Sequence, residues 1–434
     1  MFTVRGRRLL SLLVIMAVAA VAQPTAAAAA DPDQPAAITL HRWDSAREFV
    51  RGSWDNLRLG RDQALEIRSS GRTATYTDPF GEGEARSYDV GSWTSPVVEL
   101  GYAGDEAVAS WNARTPTGTF VETTFRGRKL DGSWTKWYVL GRWASGNDFA
   151  GGDIHRTSVD GQNDDDAAIW TDTFSVRTGR EIGAYQVRVT LYRPQGTQVS
   201  PELDALSVLS NAYLGAYDRP TSEFTLGRQV ELAVPRFSQN IHRGEYPEFG
   251  GGGQVWCSPT STSMVQYFYG NEYRVPESEL AGIEAPNGDP QVPYAAINTW
   301  DYTYQGAGNW PFNAAYAHRY GLEAFVTRLR SLAEVERFIA AGIPVITSLS
   351  WELAEMPEAG YDTDGHLMVI IGFTADGDPI LNDPASNSNE AVRNVYTRKN
   401  FERVWQNATD GIVYILRPPS VPLPEHVAGA TPNW

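Results

Sequence analysis

The front half of the chain alternates between apolar and polar positions with a period of two. In residues 185–191 the apolar side chains fall on one face and the polar ones on the other, which is typical of a half-buried β-strand. The same reasoning predicts further strands at residues 120–125, 134–140, 169–176 and 203–209. Turn residues interrupt them at short intervals, and no convincing helical stripe occurs between residues 40 and 210. We therefore predict that residues 31–220 form an all-β sandwich of jelly-roll type.

The back half changes to a helical pattern and then to strands. A stripe of Met264, Val265 and Phe268 predicts a helix that begins at about Ser258. A second helix is predicted at 312–319, and a third begins at Ser331, with Glu334 completing a capping box. Strands follow at residues 343–349, 366–372, 379–383, 394–396 and 412–416. Helices first and antiparallel strands second indicate an α+β domain.

The changes of composition along the chain predict its division into domains. Residues 213–231, which have few apolar clusters, are predicted to connect the two halves. We place the sandwich at residues 31–220, the α+β domain at 221–417 and a proline-rich C-terminal tail at 418–434. A chain of 434 residues is long enough for two such cores.

The first 30 residues have the pattern of a signal peptide. Arginines at positions 5, 7 and 8 precede an apolar run at 9–22, and small residues at 28–30 provide a cleavage site. No later apolar run approaches the ~18 residues that a membrane span needs. We therefore expect a secreted, extracellular protein that does not span a membrane.

The charge narrows the range of partners. The formal net charge is −16, so phosphate backbones and anionic lipid headgroups would repel the chain. Nucleic acids and membrane surfaces are therefore not expected as partners.

The chain contains one cysteine, Cys257, which excludes an internal disulfide. An unpaired cysteine in an exported chain suggests a reactive thiol, although an inert buried thiol is the commoner alternative. Here a glycine run precedes Cys257, and Ser258 and Pro259 suit the start of a helix. The positive end of the helix dipole favours a thiolate at that position. The local sequence thus favours a cysteine nucleophile.

His366 and Asp383 are candidate partners for this thiol. Gly365-His366 opens an apolar strand, and Asp383-Pro384 ends the next strand of the same predicted hairpin. Neighbouring strands lie about 5 Å apart, so the carboxylate can reach the imidazole and fix its tautomer. Either residue alone is more often structural, but together with Cys257 they predict a triad for acyl transfer. The same three residues could also form a zinc site, but no second cysteine supports it. We therefore expect no metal or cofactor.

Four short motifs carry a resemblance to a known family: Val234-Pro235…Gln239, Cys257-Ser258-Pro259-Thr260-Ser261…Met264…Tyr269-Gly270, Gly365-His366…Gly372-Phe373 and Asn382-Asp383-Pro384. Residues ~229–417 resemble the papain-like peptidases related to the bacteriocin-processing, double-glycine leader peptidases. The resemblance implies that Cys257 is the nucleophile, His366 the general base and acid, and Asp383 the orienting carboxylate. It also implies an oxyanion-hole glutamine, which aligns best with Gln239.

This sequence departs from the family pattern at two places in the site. Ser258 stands where the family usually has glycine. The separation between Gln239 and Cys257 is long, so Gln254, three residues before the cysteine, is a rival for the oxyanion donor. We favour Gln239 and keep Gln254 as the alternative.

The predicted function is that of a secreted cysteine peptidase that hydrolyses peptide bonds through an acyl-enzyme. The alternatives are a non-proteolytic amidase or acyl-transferase of the same fold, and a catalytically silent binding protein. Eight tryptophans in the front half raise the further hypothesis of a targeting domain that binds cell-wall or other polysaccharide, although burial is the usual fate of tryptophan. The acidic residues at 160–166 raise the hypothesis of a calcium site, with a solvated loop as the commoner alternative.

Overall fold

A computed structural model describes residues 37–212 and 219–434, so the predicted signal peptide at 1–30 lies outside the described residues. The chain is mostly β, with three seven-stranded sheets divided between two domains. Two sheets belong to the front half and one to the back half. Every strand pair in the described residues is antiparallel.

The front half contains one short helix, α1 (Ala46–Phe49), and fourteen described strands. The strands are β1 (Ile38–Trp43), β2 (Ser53–Asp55), β3 (Leu57–Leu59), β4 (Leu65–Ile67), β5 (Thr73–Thr77), β6 (Ala85–Thr94), β7 (Val98–Gly104), β8 (Glu106–Arg114), β9 (Phe120–Lys129), β10 (Tyr138–Trp143), β11 (Ala167–Trp170), β12 (Thr173–Val176), β13 (Ile182–Pro194) and β14 (Glu202–Asn211). One sheet has the order β11-β12-β8-β14-β4-β3 with β1 on β14. The other has the order β10-β9-β13-β6-β2 with β5 on β6 and β7 on β13.

The two front sheets share one apolar core. Val187, Val189 and Leu191 of β13 are buried, and they join Trp111 of β8 and Leu206 of β14 in the same cluster. Strand β13 therefore shows the alternation of buried and partly exposed positions that the sequence predicts.

Three local predictions in the front half are wrong. Residues 169–176 form a hairpin rather than one strand, because Thr171 adopts a positive φ of 57° and reverses the chain between β11 and β12. Residues 134–140 are a strand only from Tyr138 onward. Helix α1 was not expected either, although Ser45 caps it through a bond from the backbone N–H of Glu48.

The back half contains six helices and seven strands in the described residues. They are β15 (Val230–Glu231), α2 (Cys257–Phe268), α3 (Glu277–Leu280), α4 (Gln291–Thr299), α5 (Trp310–Arg319), β16 (Glu323–Arg328), α6 (Leu332–Ala340), β17 (Val345–Trp351), β18 (Thr363–Phe373), β19 (Pro379–Asn382), β20 (Arg393–Val395), α7 (Arg398–Thr409) and β21 (Ile412–Arg417). The sheet order is β16-β21-β17-β18-β19-β20 with β15 on β18. No helix in the described part of the chain combines the length and apolar character that crossing a membrane requires.

Helices cover both faces of this sheet. Val369 and Ile371 of β18 pack with α2 and α5, whereas Met368 and Ile370 pack with α6 and α7. Burial on both faces explains why the sequence from residue 367 to 371 is a continuous apolar run instead of an alternating one.

The capping box predicted at the start of α6 is wrong. The Ser331 side chain caps nothing, and the Glu334 carboxylate accepts bonds from the backbone N of Arg330 at 2.8 Å and from Nδ2 of Asn433 at 2.9 Å. Helix α7 and strand β16 were also missed. Helix α7 is rich in charged and amide side chains, so its stripe of Phe401, Val404 and Trp405 is short.

The segments predicted as a connection and a tail are bound to the domains. The backbone N of Ser222 donates to Glu402 at 2.8 Å, and that of Thr225 donates to Glu336 at 2.7 Å. At the C-terminus, the Trp434 ring packs on Phe338 with centroids 5.2 Å apart. The backbone carbonyl of residue 432 accepts a bond from the N–H of residue 40 at 3.2 Å, which ties the end of the chain to β1.

The two halves also share a core. Phe312 at the start of α5 is fully buried, and its ring lies 6.2 Å from Trp111 and 5.3 Å from Trp143 of the front half. Beside it, Asn112 of β8 exchanges two hydrogen bonds with the backbone of Ala324 in β16, at 2.7 and 3.2 Å. The front half is thus packed against the back half through buried side chains as well as linked to it.

Phe312→Ala is expected to destabilise both halves together. Removing a buried phenylalanine costs about 3–5 kcal/mol, and here the cavity lies in the core that the halves share. We expect a lower Tm with one cooperative calorimetric transition for the whole chain. Leu130→Ala, at a side chain that is 63% exposed, is the matched control and should leave Tm almost unchanged. Two separated transitions in the wild type would contradict the shared core.

Candidate active site

A loop of glycines with positive φ precedes Cys257 at the start of α2. Residues 250–253 are four glycines with φ of 86°, 76°, 64° and 60°. A Cβ on Gly252 would stand 2.0 Å from the carbonyl oxygen of His242, so no other residue fits there without movement. The helix begins two residues earlier than predicted from Ser258 as N-cap, because Trp256 is the N-cap and Cys257 is the first helical residue. Ser258 is therefore inside the helix and is not its cap.

Hydrogen bonds tie the first turn of α2 to the sheet. Ser258 Oγ lies 3.1 Å from the Tyr414 hydroxyl of β21. Ser261 Oγ donates to the carbonyl of Leu367 in β18 at 3.1 Å. Since Leu367 follows His366, this bond holds the Cys257 end of the helix beside the imidazole. Cys257 is 8% exposed.

His366 lies between Cys257 and Asp383. Its Nε2 is 2.8 Å from Asp383 Oδ1, and Cys257 lies near enough to its ring to favour the charged imidazole. Because Nε2 is occupied by the carboxylate, Nδ1 remains for the thiol. The rings of Trp351 and Tyr361 flank the imidazole edge-on, at 5.8 and 6.0 Å. The structure therefore brings these three predicted site residues together.

Electrostatics favour a charged imidazole. Burial of His366 opposes its charge, but the Asp383 carboxylate, its hydrogen bond and Cys257 outweigh burial and raise the pKa of His366 to about 10. Burial acts in the opposite direction on Asp383, yet His366 and two tyrosine hydroxyls hold the pKa of Asp383 below its ordinary value. At neutral pH the pair is therefore an imidazolium beside a carboxylate.

The Asp383 carboxylate accepts four hydrogen bonds. Oδ1 accepts from His366 and from the backbone N of Ala385 at 2.9 Å. Oδ2 accepts from the hydroxyls of Tyr361 at 2.8 Å and Tyr396 at 2.7 Å. The sequence contains no signal for these two tyrosines, since neither has a spacing or motif that relates it to Asp383.

The two candidate oxyanion donors occupy different environments. Gln239 is 1% exposed, its backbone N donates to the Pro384 carbonyl at 2.9 Å, and its Oε1 has no hydrogen-bond partner. It therefore lies next to the Asp383 strand end. Gln254 is exposed on the short 3₁₀ turn Gly253–Val255.

The other two histidines of residues 221–417 have partners elsewhere. His242 Nδ1 is 2.8 Å from Glu245 Oε2, and His318 Nε2 is 3.0 Å from Asp204 Oδ2 of the front half. In the acidic loop, Asp164 and Asp166 pair with Lys136 and Lys129 at 3.1 and 2.8 Å. The residues that the structure describes contain no group of three or more acidic, histidine or cysteine side chains suited to a metal ion.

Comparison with known proteins identifies similar sequences in both halves. A family model described as the peptidase C39 N-terminal domain matches residues 39–211, and one described as the peptidase C39 like family matches residues 231–413. No curated protein matches the chain. The gap between the two matched ranges falls at the predicted connection between the halves.

Similar solved structures cover less than half of the chain. One described as a C39-like peptidase from Bacillus anthracis is 19% identical, covers 43% of this chain and 97% of its own, and has a TM-score of 0.28. A family two carbohydrate esterase from Cellvibrio japonicus is 11% identical over 43% of this chain and 44% of its own, with a TM-score of 0.18. A structure of carbohydrate-binding modules of the β-sandwich superfamily is 7% identical over 41% and 56%, with a TM-score of 0.14.

Proposed function

Residues 231–413 relate this chain to the C39 peptidases, and we propose that it is a secreted cysteine peptidase that hydrolyses peptide bonds through a Cys257–His366–Asp383 triad and an acyl-enzyme. One observation carries the proposal: the buried imidazole of His366 bonds the Asp383 carboxylate and lies beside the only thiol of the chain. A peptide is the substrate class that the family relationship implies.

In this mechanism each residue acts on a stated atom. Cys257 Sγ attacks the carbonyl carbon of the scissile bond, and the imidazolium of His366 returns its proton to the leaving amine. Neutral His366 then takes a proton from water, which attacks the acyl carbon and releases Cys257. Asp383 keeps Nε2 protonated and so leaves Nδ1 for the proton transfers.

Gln239 is proposed to stabilise the oxyanion together with a backbone N–H at the start of α2. Gln239→Ala is expected to lower kcat about 10²–10³-fold, because one oxyanion donor contributes about that much in other acyl-transfer enzymes. Gln254→Ala, at the exposed turn, is the control and should change kcat little. The measurement is kcat on one peptide substrate for both variants. The opposite order of effects would assign the role to Gln254.

The proposed fold of residues 221–417 is papain-like, with the nucleophile at the start of a helix that packs on an antiparallel sheet carrying the base. The same chemistry serves an amidase or an acyl-transferase, and the fold also serves a silent binding protein. Incubating the protein with a peptide library and with peptidoglycan fragments separates the enzyme classes by the bond that is cleaved. Slow, ordinary alkylation of Cys257 near neutral pH would favour the binding protein.

The front half is proposed to be a jelly-roll-like sandwich, and its binding of polysaccharide remains a second proposal. Trp170 is 61% exposed and is the one tryptophan in the described residues with an exposed side chain. The rings of Trp134 and Trp137 are covered by the guanidinium of Arg126, at 4.3 and 4.6 Å. Asp172, two residues after Trp170, accepts a hydrogen bond from the backbone N–H of Trp310 in α5 at 2.9 Å. Trp170 therefore lies where the two halves meet.

Trp170→Ala is expected to reduce retention of the whole protein on cell-wall or polysaccharide matrices by about tenfold, since stacking on a sugar ring needs an accessible aromatic face. The measurement is the fraction that co-sediments with the insoluble matrix. Val199→Ala removes another exposed side chain of the same half and should bind as the wild type does. Equal retention of both variants would remove this proposal.

A further inference from the structure

We infer that Tyr361 and Tyr396 are positioning residues that hold Asp383 in the one orientation in which it can bond His366. The inference rests on the proposed function of the Cys257–His366–Asp383 site. It concerns two residues that no sequence motif marks and whose hydroxyls bond Asp383 rather than His366 or Cys257.

The two oxygens of the Asp383 carboxylate have different hydrogen-bond partners and different roles. Oδ1 faces His366 and the backbone N of Ala385, whereas Oδ2 faces only the two tyrosine hydroxyls. Rotation of the carboxylate would break all four bonds at once. Because Asp383 is 1% exposed, water is not at hand to replace them. The second oxygen is therefore fixed so that the first stays on the imidazole.

The tyrosines come from two separate elements. Tyr361 lies in the loop before β18, where its carbonyl accepts a bond from Trp351 Nε1 at 2.7 Å. Tyr396 follows β20, where it is 3% exposed and its ring stacks on Phe401 with centroids 6.5 Å apart. Each hydroxyl is thus placed by packing that does not depend on Asp383. A donor held by its own surroundings can orient its acceptor.

The protonation state of the tyrosines suits this role. Burial, followed by the Asp383 carboxylate, raises the pKa of Tyr361 and the pKa of Tyr396 far above the ordinary value. Both hydroxyls therefore remain donors over the whole pH range in which the enzyme would work. The interaction does not switch with pH, which distinguishes it from the bond between His366 and Asp383.

The test is a double-mutant cycle in the full chain. Tyr361→Phe and Tyr396→Phe keep each ring and remove one donor, so each should lower kcat about tenfold with little change in KM. In an Asp383→Asn background, where the carboxylate is absent, the same substitutions should change kcat less than about twofold. Tyr269→Phe is the control. Tyr269 lies at the end of α2 far from Cys257, and its hydroxyl donates to the Leu416 carbonyl of β21. Removing this hydroxyl should leave kcat unchanged.

A readout that does not need a substrate separates this inference from the proposed function. The NMR titration of His366 in Tyr361→Phe/Tyr396→Phe is expected to show its pKa lowered by about one unit, because Asp383 leaves the imidazole part of the time. Wild-type protein with the raised His366 pKa but no peptidase activity would overturn only the proposed function. An unchanged or higher pKa in the double variant, or equal losses of kcat in the wild-type and Asp383→Asn backgrounds, would overturn the positioning role.

Discussion

Replacement of Cys257 by alanine is expected to abolish peptide hydrolysis, with a loss in kcat on the order of 10⁶-fold. Loss of the nucleophile from a triad leaves only the binding and oxyanion contributions, which cannot form the acyl-enzyme. The fold should survive, because the change removes a single sulfur atom from the buried Cys257 side chain. The measurements are kcat on a peptide substrate and the Tm of both proteins.

The single cysteine makes the chemical version of this experiment equally specific. Any thiol reagent can modify only Cys257, so the extent of alkylation and the loss of activity should rise together to one equivalent. His366 lies beside this thiol as its proton acceptor in the proposed mechanism, so we expect alkylation near neutral pH to be fast. Equal products from wild type and Cys257→Ala on every peptide and peptidoglycan fragment would contradict catalysis.

The contact between His366 and Asp383 could be predicted because it is local in the hairpin. A strand that opens near His366, a turn at Asp376-Gly377 and a second strand that ends at Asp383 fix the pairing of β18 with β19. Strand spacing then brings the two side chains within reach. The roles of nucleophile, base and orienter stay predictions.

The remaining support of the site could not be predicted, because it comes from distant parts of the chain. Tyr361 and Tyr396 read as ordinary loop and strand residues, and only the packing of Trp351 and Phe401 directs their hydroxyls to Asp383. The start of α2 was misplaced by two residues for a related reason. Ser258 is a good N-cap by residue type, but its hydroxyl bonds Tyr414 in the sheet instead.

The packing between the two halves also could not be predicted from local sequence patterns. A helix is predicted at 312–319, but nothing in that segment indicates that Phe312 packs against Trp111 and Trp143 of the front half. Asp172 of the front half bonds the first N–H of α5, and α5 packs on α2, whose first residue is Cys257. A continuous set of contacts therefore links the front half to the helix that carries Cys257.

Asp383→Asn is expected to lower kcat about 10⁴-fold and to move the alkaline limit of activity downward. The carboxylate orients the imidazole, and its replacement by an amide favours the wrong tautomer. It is also the main group that raises the pKa of His366 to about 10. In the wild type the charged imidazole of His366 persists until the pH rises through about 10. The stability that this charge contributes is fully present below pH 6.5, the ordinary pKa of histidine, and is lost as the pH rises through about 10. Without the carboxylate, His366 should lose its proton nearer pH 6.5.

The measurement is the pH dependence of kcat/KM between about pH 5 and 11 for both proteins. Asp364→Asn provides the matched control, because this exposed carboxylate stands two residues before His366 and its loss changes the net charge equally. A general electrostatic effect would move the alkaline limb in both variants, whereas orientation and pairing through Asp383 move it only in Asp383→Asn. If the limb stays near pH 10 after Asp383→Asn, the raised pKa of His366 has another source, and Cys257 is then the group that sustains it.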